Sequence, residues 1–233
     1  GIKNGTSLNG KANLNGFFQE LEEKLDLVKD QLLERFEMQC SKKVYNFPFL
    51  LGQALWIDSE KLKETDNLKK VLKQGTMSIG FTGLAECLKA LTGKHHGESK
   101  EAQELGLKII SFMREKCDKY SEKYNLNFSL TATPSGNLST DLIQMDQAIY
   151  GKIKNITDKE IYTDSFQLPK GYKISAEKKI EIEAPYHKLT NGGHITEINL
   201  PEDAILSDFM KILEVMKKND IGCCTISKMK VDN

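Results

Sequence analysis

Three observations predict an α/β fold. Short apolar stretches of strand character alternate with helical patterns along most of the 233 residues. The clearest strand lies at 126–132, where Leu126, Phe128, Leu130 and Ala132 fall on alternate positions and make one face apolar. That strand runs through a small-residue turn, Thr133-Pro134-Ser135-Gly136-Asn137, into a segment where Leu142, Met145 and Ile149 recur at helical spacing before Gly151. With no internal repeat and no low-complexity linker, residues 1–233 are expected to form a single unit.

In chain order, residues 1–16 are polar and rich in Gly and Asn, and read as a loop or disordered start. A helix follows with Phe17, Leu21, Leu25, Val28, Leu32 and Phe36 on one stripe. Residues 45–58, broken by Pro48 and Gly52, read as an extended packed segment. Leu68, Val71 and Leu72 suggest a short helix ending at Gly75, and 76–81 a buried strand. A helix from Gly83 to Leu91 closes at Gly93. The loop 94–98 carries His95 and His96, expected to face solvent, and Ser99 is a plausible cap. A long helix then sets Ala102, Leu105, Ile109, Phe112, Met113, Cys117 and Tyr120 on its inner side. Residues 162–168 are expected to be extended, and 175–189 mixed and interrupted by Pro185. Asn191-Gly192-Gly193 turns into a strand over 194–200. A last helix with Leu206, Phe209, Leu213 and Met216 and a final strand over 221–226 complete the chain.

Composition narrows the function. Thirty-three basic residues balance 33 acidic ones, so no general nucleic-acid surface or membrane-attracting patch is indicated. No apolar run approaches the roughly 20 residues of a membrane span and no secretory signal opens the chain, so a cytoplasmic location is expected. The five cysteines, Cys40, Cys87, Cys117, Cys223 and Cys224, have neither disulfide-framework nor zinc-ligand spacing. Neighbours on one strand, Cys223 and Cys224 point to opposite faces and cannot jointly ligate one metal. No metal site and no catalytic residue is assigned.

The strand-turn-helix at 126–150 is the one candidate binding feature. Pro134 fixes φ, Gly136 or Asn137 can take positive φ, and Ser139 or Thr140 can cap the helix, so backbone N–H groups there can face an anion. Most such units bind nothing.

Several runs together resemble one family. Asn46 to Gln53, Ser78 to Glu86, Leu91 to Ser99, Asn127 to Pro134, Tyr162 to Phe166 and Ala184 to Ile195 occur in the order seen in the anaerobic (class III) ribonucleoside-triphosphate reductases, which are glycyl-radical enzymes. The resemblance implies the C-terminal half of that family's ten-stranded α/β barrel. It also implies an oxidoreductase that converts ribonucleoside triphosphates to deoxyribonucleoside triphosphates for DNA synthesis. In the whole enzyme it implies a glycyl radical, a structural zinc and ATP or dNTP effectors, none of them held by this segment. The partners implied are the ribonucleoside triphosphate, a radical-activating iron–sulfur S-adenosylmethionine enzyme and a second copy in a homodimer. The thiyl-forming cysteine and the radical glycine are expected outside this stretch, so the segment alone is expected to be inactive. A non-catalytic paralogue or another glycyl-radical enzyme are the alternatives.

The same resemblance places Thr133, Pro134, Ser135, Gly136, Asn137 and Ser139 at the substrate phosphates. Here the chain departs from the family pattern. Ser135-Gly136-Asn137 stands where Ala-Glu-Gly is usual, and Asp141 where an arginine often follows. Asp164-Ser165-Phe166-Gln167 replaces Asn-Ser-Phe-His.

Overall fold

The computed structural model describes residues 1–5, 11–132 and 136–229, with Met229 by its backbone alone. Its helices are α1 (Leu14–Cys40), α2 (Pro48–Gly52), α3 (Lys69–Leu72), α4 (Leu84–Thr92), α5 (Lys100–Tyr124), α6 (Leu138–Tyr150), α7 (Ala176–His187) and α8 (Leu206–Lys218). The strands are β1 (Thr76–Gly80), β2 (Asn127–Thr131), β3 (Thr196–Pro201) and β4 (Cys224–Met229). The chain divides into two compact units. One comprises Gly1–Gln19, Gly80–Arg114 and Leu130–Asn233, the other Glu20–Ile79 and Glu115–Ser129. Among the described residues no helix is long and apolar enough to cross a membrane.

The smaller unit is built on the α1 and α5 stripes. The Tyr120 hydroxyl donates to Asp26 at 2.9 Å, Lys116 pairs with Glu22, and the Tyr120 and Phe128 rings meet edge-on. Val44, Leu51, Leu68 and Val71 form a second small core, with Trp56, Leu62 and Leu72 packed on it. Residues 45–58 are not extended. Pro48 occupies the first turn of α2, where its fixed φ and missing N–H cost nothing, and only Leu51 of that helix is buried. Phe49, Leu55 and Ile57 remain more than half exposed.

β1 and β2 form a two-stranded sheet. The Asn127 amide reaches the Gly75 carbonyl at 3.3 Å, and the Ser78 and Ser129 hydroxyls lie 3.0 Å apart. These contacts advance together along both strands, so the pair runs parallel, as a connection through α4 and α5 requires. The predicted apolar positions of β2, Phe128, Leu130 and Ala132, are at most 3% exposed, but Ser129 between them is equally buried, so the strand is covered on both faces there. β1 is less buried than expected, since Ile79 alone of its residues is fully covered.

In the larger unit, β3 and β4 pair in parallel from Thr196↔Cys224 to Pro201↔Met229. Ala132 makes an isolated parallel bridge to His194, just before β3. Alternation along β3 turns Thr196, Ile198 and Leu200 to one buried face, where Ile198 and Leu200 join Ile180 and Ala184 of α7 and Ile212 of α8. The opposite face shows Glu197 and Asn199 beside Thr225 and Ser227. Within segment 175–189, residues Ala176–His187 form one continuous helix rather than a mixed stretch. Ser175 caps it by accepting the Lys178 N–H, and Pro185 falls in the last turn, where it strands only the carbonyl of exposed Glu181. Residues 162–168 are irregular, with one antiparallel bridge from Asp164 to Thr82 and Ser165 at φ 45°.

Candidate functional site

The end of β2 is clamped by the Asn191-Gly192-Gly193 turn. Asn191 Oδ1 accepts the Leu130 N–H at 3.0 Å, the Gly192 N–H donates to Leu130 O at 2.8 Å, and the Ala132 N–H donates to Gly193 O at 2.8 Å. Gly193 adopts φ 126°, a conformation that favours glycine. Of the six residues expected at a phosphate, Thr133, Pro134 and Ser135 lie outside the described residues. Gly136 has the expected positive φ of 55°. The helix begins earlier than predicted, at Leu138, with Asn137 as N-cap and no side-chain cap bond. Ser139 and Thr140 therefore lie inside the first turn. The Ser139 hydroxyl is buried and donates to the Gly136 carbonyl at 3.0 Å, which fixes the turn rather than offering a donor outward. Asp141 stands in the same first turn.

Asn46 to Gln53 lies in the smaller unit, whereas residues of four other stretches that carry the family resemblance meet in the larger one. Glu86, in the first turn of α4 and 2% exposed, accepts from Lys159 Nζ at 2.8 Å and from the Thr163 hydroxyl at 2.7 Å and N–H at 3.3 Å. Gly83, at φ 76°, brings its N–H to the Thr163 carbonyl at 2.7 Å. His96 Nε2 lies 2.8 Å from the Phe166 carbonyl, and Phe166 stacks on Tyr186 with ring centroids 5.4 Å apart. His187 follows Tyr186 and meets the His194 ring at 4.0 Å. The runs at 78–86, 91–99, 162–166 and 184–195 thus form a continuous contact chain that ends at the clamp on β2.

Contrary to the expectation of solvent exposure, His95 and His96 are each 2% exposed. The Phe166 carbonyl can only accept, so His96 carries its proton on Nε2, and its buried Nδ1 has no partner in the structure. Burial lowers the His96 pKa to about 4 and lowers His95 as well. His187, 2.8 Å from the Thr196 hydroxyl, is held near 4 by burial and by His194. Fully buried Glu183 accepts the Leu168 N–H at 2.9 Å and lies 3.5 Å from Lys179, while burial pushes its pKa up. Sequence reasoning missed Glu86 and Glu183 as buried anchors. Their signal was a carboxylate set directly against apolar positions, in Leu84-Ala85-Glu86-Cys87-Leu88 and in Glu183-Ala184.

Among the described residues no group of three His, Cys, Asp or Glu side chains could hold a metal. Cys40 and Cys117 are buried, and burial raises the pKa of Cys40, Cys87 and Cys224, the reverse of what an activated thiol needs.

A family model described as anaerobic ribonucleoside-triphosphate reductase matches residues 6–231. The anaerobic ribonucleoside-triphosphate reductase of Salmonella typhimurium is 32% identical over 192 residues, covering 81% of this chain and 27% of that protein. The phage T4 enzyme of the same name is 30% identical over 188 residues, covering 80% and 29%. The chain thus spans little more than a quarter of these relatives. Among solved structures, the anaerobic ribonucleotide reductase of Thermotoga maritima with glycerol in the active site superposes with a TM-score of 0.69 at 17% identity, over 92% of this chain and 32% of that one. The same enzyme in complex with dATP and CTP gives 0.66 at 18% identity, over 89% and 32%. At that identity the likeness establishes the shared α/β fold.

Proposed function

Because the chain belongs to the anaerobic ribonucleoside-triphosphate reductase family, we propose that it forms part of the catalytic body of such an enzyme. Its role there is to supply barrel wall and the turn that receives the substrate's phosphates. The observation that carries this reading is the family match over 6–231, joined to the contact chain that ends at the clamp on β2. In the whole protein a glycyl radical would supply the radical chemistry that replaces the ribose 2′-OH with hydrogen. No thiyl role is assigned to the cysteines of this chain, and among its described residues no group of three His, Cys, Asp or Glu could hold zinc, so no step is assigned to either. Ribonucleoside triphosphate substrate, dNTP or ATP effectors, a radical-activating partner, a second copy and a cytoplasmic setting belong to the same proposal.

What the chain's own residues do is bind and orient. Gly136 and Asn137 lead into the N-terminus of α6, whose dipole favours an anion. Gly136 supplies the positive φ, and Ser139 holds its carbonyl turned back into the helix. Asp141 opposes the ligand's charge, and no Lys or Arg occurs between Thr131 and Tyr150. Affinity through this turn is therefore weak. Titration of a nucleoside triphosphate at fixed ionic strength tests it. Asp141→Arg is expected to tighten binding about tenfold, the scale of one charge-assisted contact. Gly136→Val is expected to weaken it, because a β-branched residue resists positive φ. Equal affinities for all three proteins remove the turn from the phosphate site.

A further inference from the structure

A recess of about 230 Å3 opens in the larger unit, and Lys89, Lys159, Lys170, Glu86, Glu98 and His95 line it. Both carboxylates are already engaged. Glu86 is held by Lys159 and Thr163, while Glu98 is held by Lys89 at 3.3 Å and by the His95 N–H at 2.8 Å. Three ammonium groups face two carboxylates, so the wall carries an excess positive charge. Each ammonium has three donors, and the ion pairs of Lys89 and Lys159 leave donors over.

His95 is the fixed element. The Gly97 N–H donates to its Nδ1 at 3.0 Å, which puts the ring proton on Nε2. The side chain is 3% exposed, and Nε2 stands 3.7 Å from Glu98 Oε2, beyond hydrogen-bond range. Tyr172 packs edge-on against the ring at 4.6 Å and is itself anchored by its hydroxyl on the Gly97 carbonyl at 2.8 Å. The imidazole is thus buried and locked in direction, with its Nε2–H 3.7 Å from the Glu98 carboxylate and beside spare ammonium donors.

We propose that this recess binds a small oxyanion of the phosphate class, with His95 Nε2–H as the oriented donor and Lys89, Lys159 and Lys170 as the countercharge. The proposal rests on the recess alone and not on the family reading.

The test uses the full chain, labelled so that the His95 ring and the Gly97 amide are observed by NMR. Inorganic phosphate is titrated against chloride at matched ionic strength. Saturable shifts of both signals with phosphate and not chloride are expected. Lys170→Ala leaves both ion pairs in place and is expected to weaken binding about tenfold, while Lys42→Ala, outside the recess, leaves it unchanged. A parallel titration with adenosine monophosphate separates the sources. Tighter binding than inorganic phosphate places a nucleotide's phosphate in the recess, and equal or weaker binding places free phosphate there. Shifts that never saturate, that chloride reproduces, or that persist undiminished in Lys170→Ala overturn the proposal. The loss of nucleoside-triphosphate binding at the β2–α6 turn would leave it standing, because these signals report a different place.

Discussion

Glu86 and Lys159, 73 residues apart in sequence, meet at 2.8 Å with the carboxylate 2% exposed and the lysine about one-third exposed. The carboxylate is buried because Thr163 supplies two further donors, so the lysine completes a shell rather than making an isolated pair. Lys159→Met is therefore expected to cost about 1–3 kcal/mol, below the full penalty of an unpaired buried charge. Replacing Glu86 by Gln in that background should recover part of the loss. Urea unfolding of the single and double variants measures it, and additive losses would show that the two groups do not interact.

Gly106 sits inside α5 where helix propensity favours alanine, by about 1 kcal/mol. A Cβ there would collide with the Tyr186 hydroxyl and stand 3.1 Å from Leu88 Cδ1. Tyr186 cannot swing away, because it is fully buried, stacked on Phe166 and bonded through its hydroxyl to Gln103 at 3.0 Å. Gly106→Ala is expected to destabilise by about 1–3 kcal/mol despite the propensity gain. An unchanged or raised melting temperature would show that Tyr186 is freer than its packing implies.

His96 and His187 are held near pKa 4 in the folded chain, against about 6.5 when unfolded. Between those values the unfolded state binds more protons, so this contribution is fully present above about pH 6.5. It is lost as pH falls toward 4, on the order of 3 kcal/mol for each histidine. Glu183 acts with the opposite sign, since its raised pKa removes stability as pH rises above the unfolded carboxylate value. A net loss is expected from pH 7 to pH 5 by denaturant unfolding. His96→Gln should flatten that slope by about one proton, and an unaltered slope would mean that His96 does not titrate on unfolding.

On α8, Leu206, Met210 and Leu213 recur at helical spacing yet are 77%, 50% and 50% exposed, while Ile212 is buried. Leu206→Lys with Leu213→Glu should leave stability within about 0.5 kcal/mol, because these side chains make little of the fold. The same pair should lower self-association seen by sedimentation, since a sizeable exposed apolar face promotes it. Unchanged association would place the sticky surface elsewhere.

Local pattern carried far in this chain. The period-2 apolar face of Phe128, Leu130 and Ala132 and the inner stripe of α5 are properties of neighbouring residues, so they were legible before any contact was known. Gly93 as a helix stop, Ser99 as a cap and positive φ at Gly136 follow the same logic, because backbone sterics are local. The ordered runs that resemble the reductase family were legible too, and the family match agrees with them.

What depended on residues distant in sequence was not legible. His95 and His96 looked like loop residues and became buried only because Tyr172, Phe166 and Tyr186 close over them from 70 or more residues away. Pro185 read as a break, but the terminal position of α7 makes its missing hydrogen bond cheap. The first turn of α6 came to include Ser139 because its hydroxyl bonds the Gly136 carbonyl. Burial of a polar group depends on whether the rest of the chain can bring donors to it, and only the tertiary structure decides that.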